Sequence, residues 1–145
     1  MTLINRSALV PFSASLMYEL VNNIEKYAEF LPWCKSTTVH QRQGKEVEAS
    51  IEISKAGFNK TFTTRNVNEQ NSEIAMKLVH GPFKTLNGKW FFVALDESAC
   101  KVTLEIDFEF SNKLLDMSFG PIFGQICNTM VESFVKRAED LYGKQ

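Results

Sequence analysis

The sequence has little of the side-chain chemistry on which most active sites depend. It contains two histidines, His40 and His80, and each stands apart from any carboxylate or metal-ligand spacing. A glycine-rich phosphate loop, a serine elbow and a paired-cysteine motif are all missing. These absences favour a protein that is not an enzyme, with no catalytic residues and no metal site.

Cysteines are few, and long apolar runs are missing. Cys34, Cys100 and Cys127 are odd in number and far apart, which indicates reduced thiols rather than a disulfide framework or a zinc site. No window approaches the ~18 uninterrupted apolar residues of a membrane span, and the N-terminus lacks the pattern of a secretory leader. We therefore expect a soluble protein without a transmembrane segment that stays in the cytoplasm.

An excess of either charge is also missing, since 16 basic residues face 17 acidic ones and the pI is about 6.1. No global field therefore draws the chain onto nucleic acid. Residues 55–89 are an exception, with six basic and two acidic side chains. Such a segment could meet a phosphate backbone, or it could form the ordinary solvated outer face of a sheet. The candidate patch comprises Lys55, Lys60, Arg65, Lys84 and Lys89.

Alternation of polar and apolar residues dominates most of the chain. The clearest case is residues 101–110, where Val102, Leu104 and Ile106 alternate with charged or polar side chains. Two short helices are predicted after the first strand, at about 14–22 and 25–30. Strands are predicted at 3–10, 36–43, 45–54, 58–68, 73–79, 84–95 and 101–110, and short turn signals separate the last six.

Residues 112–142 carry an apolar stripe at helical spacing that needs a cover. The stripe consists of Phe119, Phe123, Ile126, Met130, Phe134, Ala138 and Leu141. Gly120 and Pro121 predict a break, giving a short leading helix and a long one. The element order predicts a single α+β domain over residues 1–145, in which a curved seven-stranded antiparallel sheet wraps around the long C-terminal helix. This is the helix-grip arrangement.

A curved sheet and a straight helix leave space between them, so an apolar cavity is expected. The alternative is that the same side chains form an ordinary core. Phenylalanine and methionine are abundant among them and tolerate an irregular guest. The candidate lining is Phe58, Phe62, Met76, Leu78, Phe83, Trp90, Phe92, Ile106, Phe108, Phe123, Ile126, Met130 and Phe134.

Several motifs, in order along nearly the whole chain, carry a family resemblance. They are residues 6–12, 30–34, 54–57, 60–65, 81–84, 88–90 and 107–115, which read RSALVPF, FLPWC, SKAG, KTFTTR, GPFK, GKW and DFEFSNKLL. The chain resembles the START-like group of coenzyme-Q-binding proteins, within the polyketide cyclase/dehydrase-like superfamily of START/Bet v 1-like fold. Within that group it is most similar to a bacterial branch of ribosome-association toxins. Trp33 departs from the small residue expected in the LPxC turn.

The resemblance implies two functions that composition and spacing do not rank. One is binding of a polyprenyl quinone, with ubiquinone (coenzyme Q) the expected ligand, between sheet and helix in a protein linked to respiration. The other is toxin-like binding to the large ribosomal subunit, which blocks subunit joining and inhibits translation. The two can coexist on the inside and the outside of one fold, and neither requires a cofactor. A cyclase-like enzyme is a third, weaker hypothesis, because the inward positions of the last strand carry no acid or base.

Overall fold

The computed structural model describes residues 2–143. Seven strands, three α-helices and a 3-10 helix cover most of that range. In chain order they are β1 (Thr2–Val10), α1 (Ala14–Asn22), the 3-10 helix (Ile24–Glu29), β2 (Cys34–Gln43), β3 (Glu46–Lys55), β4 (Phe58–Glu69), β5 (Glu73–His80), β6 (Phe83–Asp96), β7 (Ala99–Phe110), α2 (Lys113–Ser118) and α3 (Gly120–Tyr142). α2 and α3 are the short leading helix and the long helix that the sequence predicts on either side of a break.

The strands form one antiparallel sheet in the order β1-β7-β6-β5-β4-β3-β2. Strands β2 to β7 follow one another as hairpins, as their short turn signals predict. Gly44 and Gly57 lie in two of these turns with φ of +60° and +84°, a backbone region that glycine adopts without a steric penalty. β1 returns to pair with β7, from Thr2 opposite Phe108 to Val10 opposite Cys100. The predicted seven-stranded sheet is confirmed.

The C-terminal segment is divided where the sequence predicts it. The Asn112 side chain caps α2 by accepting from the Leu115 amide at 2.9 Å, and Pro121 occupies the first turn of α3, where no amide donor is needed. α3 lies on the concave face of the sheet and packs against β1, β7 and α1. Its stripe is buried at Phe119, Phe123, Ile126, Phe134 and Ala138, whereas Met130 is partly buried and Leu141 is 51% exposed.

α1 and the 3-10 helix close the end of the fold beside β2. Ser13 caps α1 by accepting from the Leu16 amide at 3.1 Å. The 3-10 helix replaces the predicted short α-helix, and its Tyr27 ring packs edge-on against Phe134 of α3 with centroids 5.3 Å apart. Among residues 2–143, no helix has the length and apolarity that a membrane span requires.

Candidate functional site: an internal cavity and an outer groove

An internal cavity of about 70 Å³ lies between the sheet and α3. Eight of the predicted lining residues surround it: Phe62, Met76, Trp90, Ile106, Phe123, Ile126, Met130 and Phe134. The remaining wall is formed by Ile24, Tyr27, Trp33, Ala49, Ile51, Thr64, Asn66, Leu86, Gly88, Leu104 and Cys127. The lining therefore draws on β3 to β7, α3, the 3-10 helix and the Trp33 turn.

Five predicted lining residues lie away from the cavity. Phe58 packs on Phe119, and Phe83 stacks on Phe110 with centroids 4.8 Å apart. Phe108 meets Phe123 edge-on at 4.8 Å. Phe92 stacks on Trp90, and Leu78 lies beside an outer groove instead. Aromatic rings thus fill one end of the space under the helix, so the ordinary-core alternative describes that end.

The polar part of the wall is not among the lining residues predicted from the sequence. Thr64 and Asn66 follow Phe62 on β4 with the same alternation, so they share its inward face. Both are buried, and the Thr64 hydroxyl donates to the Asn66 Oδ1 at 2.9 Å. The strand alternation indicates an inward position for both residues, whereas their polarity suggests an outward one. Trp33, which replaces the small residue expected in the LPxC turn, is 5% exposed and reaches the cavity.

The cavity is electrically neutral near pH 7. None of its lining residues is an aspartate, glutamate, lysine, arginine or histidine within the described part of the chain. Burial raises the pKa of Cys127 to about 12 and also raises the pKa of Tyr27, whose hydroxyl donates to the Val21 carbonyl. Both groups therefore stay protonated, and the wall offers hydrogen bonds but no charge.

At about 70 Å³ the cavity is smaller than the ~300–1,000 Å³ of typical ligand pockets. It holds water or a few ligand atoms unless side chains move. Ile51, Phe62, Met76 and Met130 are only partly buried, so the wall reaches solvent at these residues. Two of the four are methionines, whose unbranched side chains can change rotamer at low cost. If the cavity enlarges, we expect it to do so where Met76 and Met130 line it, because these side chains can move.

A larger depression of about 620 Å³ lies on the outer face of the sheet. Arg65, Lys77 and Lys89 line it, and the register places Arg65 directly opposite Lys77 on the neighbouring strand. The Arg65 Nη2 is 2.9 Å from the Glu48 carboxylate, whereas Lys77 and Lys89 form no ion pair within residues 2–143. We call Arg65, Lys77 and Lys89 the outer basic cluster. Glu105 and Asp107 of β7 form the opposite wall.

The five residues of the predicted basic patch do not share one surface. Arg65 and Lys89 belong to the outer basic cluster, while Lys84 lies farther along β6 with its Nζ 3.6 Å from Glu109. Lys60 is opposite the buried Ile53 and Lys55 is opposite Phe58, so both belong to the inward-facing set of positions. A count of charges along the chain does not detect this, because neighbouring strand residues point to opposite faces.

Comparisons with known proteins agree with this architecture. Residues 10–135 match the family described as polyketide cyclase / dehydrase and lipid transport. The chain is 50% identical over 141 residues to the ribosome association toxin RatA of Vibrio cholerae serotype O1, covering 97% of this chain and 98% of that protein. It is 25% identical over 141 residues to the mitochondrial coenzyme Q-binding protein coq10 of Schizosaccharomyces pombe, covering 92% and 84% of the two chains.

Among solved structures, the Zhui aromatase/cyclase of Streptomyces sp. R1128 superimposes with a TM-score of 0.85. The superposition covers 95% of this chain and 93% of that one at 16% sequence identity, so it shows the fold alone. The fold is therefore the START/Bet v 1-like helix-grip, as the sequence predicts. By its sequence match and its architecture, the chain belongs to the polyketide cyclase / dehydrase and lipid transport family.

Proposed function

We propose that the chain is a non-enzymatic protein that binds the large ribosomal subunit through the outer basic cluster and thereby blocks subunit joining. The observation that supports this most is the groove in which Lys77 and Lys89 form no ion pair with any of residues 2–143, on a chain 50% identical over nearly its full length to a protein named a ribosome association toxin. Unpaired lysines on a groove wall suit the phosphate backbone of ribosomal RNA. Such a role places the protein in the cytoplasm.

The groove is asymmetric, which suggests how RNA would lie in it. The outer basic cluster lies on β4, β5 and β6, whereas the acidic residues Glu105 and Asp107 lie on β7. The amide of Asn5 donates to Glu105 at 3.4 Å and the amide of Asn87 donates to Asp107 at 3.4 Å, so both carboxylates already have partners. Phosphate groups would therefore approach from the β4 side and avoid the β7 side.

Co-sedimentation with isolated large subunits over a salt series tests the docking surface. Binding should weaken as salt rises, with a slope of roughly 0.7–0.9 in log K per phosphate contact. Lys77→Glu/Lys89→Glu should bind more weakly and show a shallower slope. Lys55→Glu/Lys60→Glu changes the charge by the same amount away from the groove and should bind like the wild type. Equal behaviour of the two double variants, or no wild-type binding at low salt, contradicts the proposal.

A second function is favoured by the internal cavity. We propose that it holds a hydrophobic ligand of the polyprenyl quinone class, with ubiquinone as the expected member. Its wall is aromatic and aliphatic apart from a few hydrogen-bonding groups, and a relative at 25% identity is named for coenzyme Q binding. The partly buried Met76 and Met130 supply the room, because their side chains can move outward as the ligand enters.

Tryptophan fluorescence offers a direct test, since both tryptophans of the chain, Trp33 and Trp90, line the cavity. Titration with a short-chain ubiquinone should quench the emission to saturation, beyond the quenching of free N-acetyltryptophanamide. Mass spectrometry of lipids extracted from gently purified protein should reveal a stoichiometric quinone. Quenching that matches the free amide, together with an extract lacking quinone, contradicts the ligand function.

A further inference from the structure

Phe91 is the one aromatic residue among residues 2–143 that lies outside the hydrophobic core. The other eleven of the twelve phenylalanines, like the tyrosines and tryptophans, belong to the core or pack against it. On β6, Trp90 and Phe92 are buried on the inner face, so the alternation of the strand places Phe91 on the outer face, where it is half-buried. Core packing therefore does not account for a phenylalanine at this position.

The Phe91 ring borders the outer groove together with the outer basic cluster. Lys89 precedes it by two residues on the same face of β6, ~7 Å away along the strand. Lys77 is opposite Asn87 on the neighbouring strand, ~13 Å from Phe91 in the same direction, and Arg65 is opposite Lys77. All three cations therefore lie on one side of the ring.

The other neighbours of the ring set the direction of an anionic partner. Glu73 is directly opposite Phe91 on β5 and does not line the groove. A polyanion that covers the ring would avoid this carboxylate and extend toward Lys89 and Lys77. A nucleotide chain has the matching chemistry, because a base can stack on the ring while its phosphates meet the cations. Stacking of this kind requires an unpaired base, since the bases of a duplex are stacked on one another.

We propose that Phe91 is the stacking platform for an unpaired base of ribosomal RNA, and that the outer basic cluster binds the phosphates beside that base. This inference rests on the proposed docking function and names the RNA that the groove takes, which is a single-stranded loop or bulge. A duplex could meet the lysines through its backbone but would offer no open base to the ring. A protein partner would bury Phe91 by its apolarity alone, and a leucine would then serve almost as well.

The test is fluorescence anisotropy of the full chain with a short unpaired RNA and with an RNA duplex of the same length. The wild type should bind the unpaired RNA more tightly. Phe91→Leu stays apolar but lacks the ring, so its affinity for unpaired RNA should fall about fivefold or more, the loss expected for one stacked base, while duplex binding stays unchanged. Phe91→Tyr keeps the ring and should bind like the wild type. Val93→Ala is the matched control, because Val93 is the next outward position of β6 and lies outside the groove, and it should also bind like the wild type.

Co-sedimentation with large subunits separates this inference from the function on which it rests. Phe91→Leu should lose affinity for the subunit by a similar factor, and Phe91→Tyr should keep it. If Phe91→Leu binds subunits like the wild type while Lys77→Glu/Lys89→Glu binds more weakly, the stacking is overturned and the docking function stands. If Phe91→Leu loses affinity for subunits but not for unpaired RNA, the ring meets a ribosomal protein and the proposal is overturned. Absence of wild-type binding to subunits at low salt overturns both. If circular dichroism shows that Phe91→Leu does not fold, the wild-type preference for unpaired RNA over the duplex decides.

Discussion

Cys127 lies on α3 with no exposed surface, and its thiol borders the cavity. Burial raises its pKa to about 12, while a thiol in an unfolded chain titrates near ~8.5. Below pH ~8.5 both states are protonated and the thiol has no pH-dependent effect. Between that pH and about 12 the unfolded chain loses the proton and the folded chain keeps it, so stability falls as pH rises.

We predict that Cys127→Ala makes the loss of stability at alkaline pH less steep. The free energy of unfolding is measured by urea denaturation from pH 9 to 11. As pH rises, the value for the variant should fall more slowly than the wild-type value, and the two slopes should differ by about 1.4 kcal/mol per pH unit. The other titrating groups contribute equally to both proteins and cancel. Val131→Ala, a buried substitution on the same helix without a titrating group, should lower stability at every pH and keep the wild-type slope. Identical slopes for Cys127→Ala and wild type would contradict the assigned pKa.

The large apolar residues that line the cavity could be predicted from the sequence, whereas the polar ones could not. Phe62, Trp90 and Phe134 were expected at the cavity because large apolar residues on inward positions must be buried somewhere. Asn66 was missed because its polarity suggested an outward position. A polar side chain on an inward position is uncommon, and only the alternation with Phe62 and Thr64 indicates where it points.

The turn between β5 and β6 contains the GPFK motif, and the position of its first residue, Gly81, has no room for a side chain. Gly81 has φ of +153°, and a Cβ at this position would lie 2.7 Å from the Phe62 Cβ and 3.3 Å from its Cα. The backbone of the turn therefore lies directly against β4 beside a cavity residue. β5 and β6 pair only from Glu73 opposite Phe91 to Lys77 opposite Asn87, so the turn is held by neighbours outside this ladder: β4 on one side and, on the other, the Ser111 amide, which donates to the Pro82 carbonyl at 3.0 Å.

Gly81→Ala should destabilise the protein by about 1–3 kcal/mol, because the added methyl meets backbone that cannot move aside. Urea denaturation measures the change. Gly124→Ala is the matched control: it lies within α3, nothing is within 4 Å of the added Cβ, and helix propensity alone should stabilise the protein by about 1 kcal/mol. A neutral Gly81→Ala would show that the turn does not depend on its contact with Phe62.

Strands and helices were easier to predict than the faces they present. The order of elements follows from the change to a two-residue period from Lys35 onward and from the turn signals, and these are local properties. The position of a lysine on one face or the other depends on register. Lys60 alternates with Phe58 and Phe62, which places it on the inward set, although its charge suggested the outer surface. The volume of the cavity depends on how many rings pack at one end, which no local pattern encodes.

The outer groove and the internal cavity share three residues across the sheet. Met76, Gly88 and Ile106 border both spaces. Gly88 has no side chain, and an added Cβ there would lie 2.7 Å from the Met76 Cε, so Met76 covers the position. The wall between the proposed RNA-binding groove and the proposed ligand site is therefore one sheet thick. If a change in one space moves Met76, Gly88 or Ile106, it also changes the other space, and the two functions are then not separable.

A crossed pair of variants tests separability in the whole molecule. Met130→Trp fills space on the helix side, away from the shared wall, and should abolish quinone binding while large-subunit binding stays within about twofold of wild type. Because Met130 borders a cavity and is partly exposed, stability should fall by less than the ~1–3 kcal/mol typical of overpacking a filled core. Lys77→Glu/Lys89→Glu should show the reverse pattern, with quinone affinity kept and subunit binding lost. Fluorescence titration and co-sedimentation of the same samples measure both properties. If a folded Met130→Trp protein also loses the subunit, the two surfaces are coupled through Met76, Gly88 and Ile106, and the outer basic cluster is not an independent docking surface.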